Sequence, residues 1–183
     1  YGMGDRVIVE IARALHNGFN LKRLSRLGQV AYLSDSLPEG ALELHPYEAC
    51  LRSPEKFGEN FTHIETESNK MQAQILAERV GERYVVVNPP YPYLTEAEID
   101  RSFDLPYTRL PHPRYNGKGP IGAYEMIKHS VNMHRGCFGG CSFCTISAHQ
   151  GKFISSRSEA SILREVERIT QMADFRGNLS DIG

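Results

Sequence analysis

The sequence contains no long apolar run and no recognisable secretion signal. No segment of its 183 residues approaches the roughly 18 uninterrupted apolar residues that indicate a transmembrane helix, so we expect no membrane partner. The first five residues lack the basic region and the apolar stretch of a signal peptide. Together these absences favour a cytoplasmic protein.

The chain also lacks an excess of charge of either sign. Its 22 acidic and 21 basic residues give a formal net charge of −1, which leaves no electrostatic footprint for nucleic acid or for an anionic membrane. Tyrosines, arginines and prolines are interleaved between residues 91 and 115, and such aromatic and basic groups can stack on single-stranded nucleic acid. We interpret this stretch instead as a proline-rich connector, and we do not expect a nucleic-acid partner.

Cysteines are few, and three of the four are clustered. Cys137, Cys141 and Cys144 form a C-x3-C-x2-C array, which does not resemble a disulfide framework and indicates reduced thiols in the cytosol. Iron–sulfur clusters of the four-iron type are normally held by four cysteines. A cluster held by three would keep one iron open to an outside ligand, as catalytic metal sites keep an open position.

The residues around the cysteines fit a bulky cofactor. Gly136, Gly139 and Gly140 allow tight turns and a close approach of the backbone, because they carry no Cβ. Phe143 precedes the last cysteine and offers an apolar surface beside the metal, and Phe138 could shield the other side. The two basic residues that follow, Lys152 and Arg157, are expected to be solvated surface residues, with contact to a carboxylate or a partner as the alternative. We assign no catalytic acid, base or nucleophile.

A structural zinc site is the main alternative for the cysteine array. Such sites usually take four ligands from two separated pairs, and the nearby candidates for a fourth ligand are His134 and His149. The remaining cysteine, Cys50, lies far away in a polar stretch, and we interpret it as a small buried apolar residue. On this alternative the chain would be a zinc-stabilised interaction module without enzymatic activity.

Hydrophobic periodicity predicts a mixture of helices and strands. Helices are predicted at 5–16 with Asp5 as N-cap, at 65–79, at 95–103 behind a capping box of Thr95 and Glu98, from Ser156 or Ser158 onwards, and with Pro54 as a first helical residue. Strands are predicted at 30–33, 84–87 and 130–134 and near Leu179, the second of them buried on both faces as in a parallel sheet. The cysteines then lie on the loop of a strand–loop–helix–strand unit, which builds parallel sheets.

A cysteine array of this spacing, with an aromatic residue before its last member and a strand before its first, resembles the signature of radical S-adenosylmethionine (SAM) enzymes. The wider similarity is to the bacterial YgiQ-type radical SAM proteins and covers most of the chain. It is carried by residues 130–144 and 151–158 and by four upstream motifs, Tyr1-Gly2-Met3-Gly4, Asn88-Pro89-Pro90, Leu105-Pro106-Tyr107 and Pro111-His112-Pro113.

This resemblance implies an α/β fold in which a Rossmann-like N-terminal region is followed by the start of a partial (βα)6 radical SAM barrel. We expect the chain to be a truncated piece of a longer protein. Its predicted parts are an incomplete N-terminal α/β domain at 1–104, a connector at 105–124 and the beginning of the barrel at 125–183.

The resemblance also implies a chemistry. Cys137, Cys141 and Cys144 would ligate a [4Fe-4S] cluster, whose open iron would chelate the amino and carboxylate groups of SAM, with Phe143 near the adenine. One electron, from a reductase such as flavodoxin or ferredoxin, would cleave SAM to methionine and a 5′-deoxyadenosyl radical that abstracts hydrogen from an unknown substrate. We expect this piece alone to be inactive, since the glycine-rich turn that holds the SAM amino group would begin at its end. An RNA-modifying radical SAM enzyme is a further alternative.

Overall fold

The computed structural model describes residues 2–18 and 24–183. It contains two compact units, of which the first combines Tyr1–Tyr93 with Gly136–Ile154 and the second combines Leu94–Arg135 with Ser155–Gly183. The connector at 105–124 stays a prediction. Within the part of the chain that the structure describes, no helix is long and apolar enough to cross a membrane.

The first unit begins with helix α1 (Gly4–His16). Its N-cap residue is Met3, which makes no side-chain capping hydrogen bond, so the prediction of Asp5 as N-cap is wrong. The helix starts before the first capping-type side chain, and Asp5 instead lies in the first turn, where a negative charge favours the helix dipole. Tyr1, part of the motif quoted above, lies outside the described residues.

A four-stranded mixed sheet forms the core of this unit. Its strands and the two helices between them are β1 (Ala31–Ser34), β2 (Leu42–Leu44), α2 (Tyr47–Cys50), α3 (Pro54–Ser68), β3 (Leu76–Val80) and β4 (Arg83–Val87). The strand order is β1-β4-β3-β2, in which only β2 and β3 are parallel. Ala77 and Val86 are paired across β3 and β4 and are fully buried, so they mark the centre of the core.

Two predictions in this region are wrong in part. The helix predicted at 65–79 does not exist as such, because α3 ends at Ser68 and β3 occupies the second half of that range. The strand predicted at 84–87 is present in β4, but both of its neighbours are antiparallel and only Val86 in it is buried. The pairing of β3 with β2 and β4 explains the first error, and the two-residue hairpin turn, with Gly81 at φ +59°, explains why β4 is antiparallel to β3.

The prediction of Pro54 as a first helical residue of α3 is confirmed. Ser53 is the N-cap and its hydroxyl accepts a hydrogen bond from the Lys56 N–H, and Pro54 is the first helical residue. Further along, the buried Asn60 side chain donates to Cys50 Sγ at 3.2 Å and to the His45 carbonyl at 3.0 Å. Cys50 is therefore half-buried and hydrogen-bonded, and burial raises the pKa of its thiol.

The remaining helices and strands are α4 (Glu96–Phe103), a 3-10 turn (Pro113–Tyr115), α5 (Gly122–Ile127), β5 (Ser130–Val131), β6 (His134–Arg135), α6 (Ile146–Gln150), β7 (Ser155–Ser156), α7 (Glu159–Thr170) and β8 (Asp181–Ile182). All except α6 belong to the second unit. The predicted capping box of Thr95 and Glu98 opens α4, and Ser158 is the N-cap of α7.

The second unit contains a parallel pair of strands separated by a helix. Ser130 pairs with Asp181 and Val131 with Ile182, and α7 packs against β5. The predicted strand at 130–134 is divided into β5 and β6, since β6 pairs antiparallel with β7 instead. The predicted strand–loop–helix–strand unit with parallel strands is thus confirmed, and the fold as a whole mixes α and β structure.

A buried charge network lies within the second unit. The side chain of Arg157 is completely buried, so the expectation that it is a solvated surface residue is wrong. Its guanidinium donates to Glu165, to the Asn132 carbonyl at 2.8 Å and to Ser161, and it lies 4.4 Å from the centre of the Phe103 ring. These partners come from three separate segments, which is why no local pattern indicates them.

Candidate metal centre

The three clustered cysteines lie in a segment that we call the cysteine loop (Gly136–Ile154), which packs as part of the first unit. All three are free thiols, with Cys141 exposed and Cys137 and Cys144 half-buried. A tight turn joins the last two, since the Cys144 N–H donates to the Cys141 carbonyl at 3.1 Å. None of the three thiols is therefore used in a disulfide, and Cys141 is the one that is exposed to solvent.

Gly139 is the position on which two of the thiols converge. A Cβ atom added there would lie 3.3 Å from Cys137 Sγ and 3.7 Å from Cys141 Sγ. The Gly139 N–H also donates to Cys137 Sγ at 3.4 Å. Two sulfurs thus face one small space that glycine leaves open, and backbone hydrogen bonds to ligand sulfur tune the potential of iron–sulfur clusters.

Residues 2–18 and 24–183 contain no group of three His, Cys, Asp or Glu side chains close enough to hold a single metal ion. This finding applies to the three cysteines and also to the two histidines of the zinc alternative. His134 lies in β6, where it pairs with Ser156 in the second unit, and His149 lies in α6 with an exposed side chain.

The donor set nevertheless suits an iron–sulfur cluster. Three soft thiolate donors are the ligand type that such clusters use, and two of the three thiols in the loop converge on Gly139. The flanking aromatic rings are open as well, with Phe138 80% and Phe143 89% exposed. A large ligand held by the sulfurs would therefore meet two free apolar surfaces.

The base of the cysteine loop is closed by its own backbone. Gly136 has φ +86°, and a Cβ atom there would lie 2.1 Å from the Phe153 carbonyl oxygen. The neighbouring Cys137 N–H donates to the Gly151 carbonyl at 3.1 Å, and the Gly136 N–H donates to the Gln150 side chain. The two ends of the loop are held together in a way that only glycine at position 136 permits.

We expect Gly136→Ala to open this closure and to lower the thermal stability of the protein. The positive φ alone disfavours alanine by about 1–2 kcal/mol, and the Phe153 carbonyl must also move. Gly140→Ala is the matched control, because a Cβ there meets nothing within 4 Å. Differential scanning fluorimetry and hydrogen exchange of the loop amides compare the two variants. Equal melting temperatures and equal exchange rates would contradict the role of Gly136 in closing the loop.

Side chains from earlier in the first unit contact the end of the cysteine loop. Lys152 Nζ lies 2.5 Å from Glu65 Oε2, 87 residues upstream, and the two side chains are 22% and 28% exposed. The rings of Tyr93 and Phe153 have centroids 4.6 Å apart, and burial raises the pKa of Tyr93. The expectation that Lys152 is a solvated surface residue is wrong, and the alternative, contact with a carboxylate, is the one observed. Sequence reasoning missed the Tyr93–Phe153 contact.

Comparison with known proteins places the chain in a family. Residues 1–130 match the family model described as Radical SAM N-terminal. The chain belongs to this family. The predicted resemblance to YgiQ-type radical SAM proteins is confirmed, since the relatives that match the whole chain are UPF0313 proteins. The match to the Radical SAM N-terminal model ends before the cysteine array, whereas the similarity to the relatives includes it.

The whole chain is 56% identical to a UPF0313 protein of Porphyromonas gingivalis, 49% to one of Bacteroides thetaiotaomicron and 44% to one of Geobacter sulfurreducens. Each alignment covers 100% of this chain but only 30%, 32% and 30% of the relative. The chain therefore spans about 30% of the length of these curated relatives. No solved structure matches it.

Proposed function

We propose that the full-length protein is a radical SAM enzyme whose [4Fe-4S] cluster is held by Cys137, Cys141 and Cys144. The observation that carries the proposal is the convergence of two of these thiols on Gly139, in a chain of the Radical SAM N-terminal family. The proposal concerns the whole protein, because this chain spans about 30% of its relatives. Its substrate is a molecule with an abstractable hydrogen atom, and its location is the cytoplasm, where thiols stay reduced.

The residues of this chain bind and shape the site. When bound, the cluster and SAM supply one-electron cleavage of the sulfonium to methionine and a 5′-deoxyadenosyl radical, with the electron drawn from a flavodoxin- or ferredoxin-type reductase. Cys137, Cys141 and Cys144 would hold the cluster through their thiolates, and the Gly139 N–H would stabilise the charge on Cys137 Sγ. The exposed ring of Phe143 provides a stacking surface for the adenine of SAM.

Two pairs of parallel strands support the fold that this proposal implies. The first unit contains one βαβ connection, from β2 through α3 to the parallel β3, as expected of a Rossmann-like region. In the second unit, β5, α7 and the parallel β8 have the order expected of the first βα unit of a partial (βα)6 barrel. The greater length of the relatives leaves room for the further units.

Reconstitution of the full-length protein with iron and sulfide under anoxic conditions tests the proposal. We expect the reduced protein to give an electron paramagnetic resonance spectrum that changes when SAM is added, because SAM would ligate the open iron. A spectrum that SAM leaves unchanged would contradict the proposed function. Stoichiometric zinc that survives chelators, together with no uptake of iron, would favour the zinc-stabilised module instead.

A further inference from the structure

We propose that Glu65 and Tyr93 are positioning residues that hold the cysteine loop in place before any cofactor binds. Neither residue touches the thiols. Both act on residues 151–153, which in turn hold Cys137 by its backbone. The consequence for the cluster rests on the proposed function, whereas the positioning of the loop itself does not.

Glu65 lies on α3, where hydrogen bonds to its carbonyl hold its backbone in place. It lies in the last turn of the helix, and its carbonyl accepts hydrogen bonds from Ser68 Oγ at 2.8 Å and from Asn69 Nδ2 at 2.6 Å. Its carboxylate pairs with Lys152 at 2.5 Å, and about three quarters of each side chain is buried. Partial burial weakens solvent screening, so this ion pair is stronger than an exposed one.

Tyr93 contacts the residues on either side of Lys152. Its ring packs against Phe153 at an interplanar angle of 42°. Gly151 has φ +88°, and a Cβ there would meet the Tyr93 ring and hydroxyl at 3.5 Å. The ring therefore lies next to Gly151, at a distance that a Cβ atom would meet in ordinary van der Waals contact, and it is the positive φ that favours glycine at this position.

Two residues of the segment 151–153, Gly151 and Phe153, contact the backbone at and before the first cysteine. The Gly151 carbonyl accepts the Cys137 N–H, and the Phe153 carbonyl fills the space beside Gly136. Residues 151–153 thus connect Glu65 and Tyr93 on one side with Gly136 and Cys137 on the other. Fixing this segment fixes the backbone of Cys137, and that reduces the ordering which the loop must undergo when the thiols bind a cluster.

Hydrogen exchange of the cluster-free, full-length protein tests this inference directly. In Glu65→Gln we expect the amides of residues 137–153 to exchange about fivefold faster, as for loss of a partly buried ion pair. In Tyr93→Ala we expect an acceleration of about tenfold or more, because the aromatic contact and its buried area are both lost. Tyr93→Phe keeps the ring and should exchange at the wild-type rate.

Two further variants separate positioning from a general effect of charge. Glu55→Gln removes an exposed carboxylate from the first turn of the same helix and should leave the loop amides unchanged. The charge swap Glu65→Lys with Lys152→Glu restores an ion pair and should restore slow exchange, whereas each single substitution should not. In reconstituted protein, the variants with fast exchange should also lose iron to a chelator faster than the wild type.

The outcomes distinguish this inference from the proposed function. If Glu65→Gln and Tyr93→Ala both exchange at the wild-type rate, the positioning role is overturned whatever the metal content. If the loop responds as described but the wild-type protein takes up no iron, the positioning role stands and the proposed function fails. If Tyr93→Ala does not fold, Glu65→Gln and the charge swap still decide the question.

Discussion

Replacing any one of Cys137, Cys141 and Cys144 with serine is expected to remove nearly all iron from the protein. After anoxic reconstitution, the wild-type full-length protein should carry about four irons per chain, and each serine variant well below one. The reason is the size of the donor set, since three thiolates leave no spare ligand and a serine hydroxyl is a hard, weakly acidic donor that iron–sulfur clusters do not favour. Iron and acid-labile sulfide assays, with the visible absorbance of the protein, measure the effect.

Cys50→Ser is the matched control for this prediction. The change from cysteine to serine is the same as in the three loop variants. Cys50, however, lies next to Asn60 and the His45 carbonyl rather than in the cysteine loop. The variant should therefore retain the iron content of the wild type. Full iron in any of the three loop variants, or loss of iron from Cys50→Ser, would show that the ligand assignment is wrong.

Much of the local structure could be predicted from the sequence because its causes are local. The capping box of Thr95 and Glu98 is four residues long, and the start of α3 is indicated by Pro54 alone. The cysteine array is likewise a short pattern whose donor chemistry is independent of the fold. Such signals depend on neighbours in the sequence, so the rest of the chain does not alter them.

The contacts that place the cysteine loop could not be predicted in this way. The pairing of Lys152 with Glu65 spans 87 residues, and charged residues of either kind are most often solvated, so sequence spacing gives no sign of it. The error over 65–79 has the same origin. Leu76 and Val80 suit one face of a helix, but in the folded chain their backbone is paired with β2 and β4.

The glycines of the loop show how far composition can be trusted. Three were predicted to allow a close approach of the backbone, and the structure provides a steric reason for two. Gly136 has a positive φ and abuts the Phe153 carbonyl, and a Cβ at Gly139 would crowd Cys137 Sγ at 3.3 Å. A Cβ at Gly140 would meet nothing within 4 Å, and nothing in the structure explains why glycine stands there. Which glycines matter depends on the path of the chain, which composition does not reveal.

Glu165→Ala is expected to destabilise the second unit by about 3–5 kcal/mol, the usual effect of removing one partner from a buried ion pair. Glu165 is 13% exposed and bridges two arginines, with Arg157 Nη1 at 2.5 Å and Arg109 on the other oxygen. An arginine cannot lose its proton in a protein, so the variant leaves one fully buried guanidinium without its counterion. Both arginines also donate to backbone carbonyls beside β5, at Ser130 and Asn132.

The loss should therefore appear first in β5, which lies before β6 and the cysteine loop in the chain. Hydrogen exchange of residues 130–132 measures the local opening, which is preferable to a single unfolding midpoint in a protein of several units. Arg164→Ala is the control, since its pairing with Asp104 is exposed and should contribute less than about 1 kcal/mol. If hydrogen exchange of residues 130–132 is equally slow in both variants, the bridge formed by Glu165 does not stabilise this strand. A selective effect of Glu165→Ala would show that this buried bridge stabilises β5.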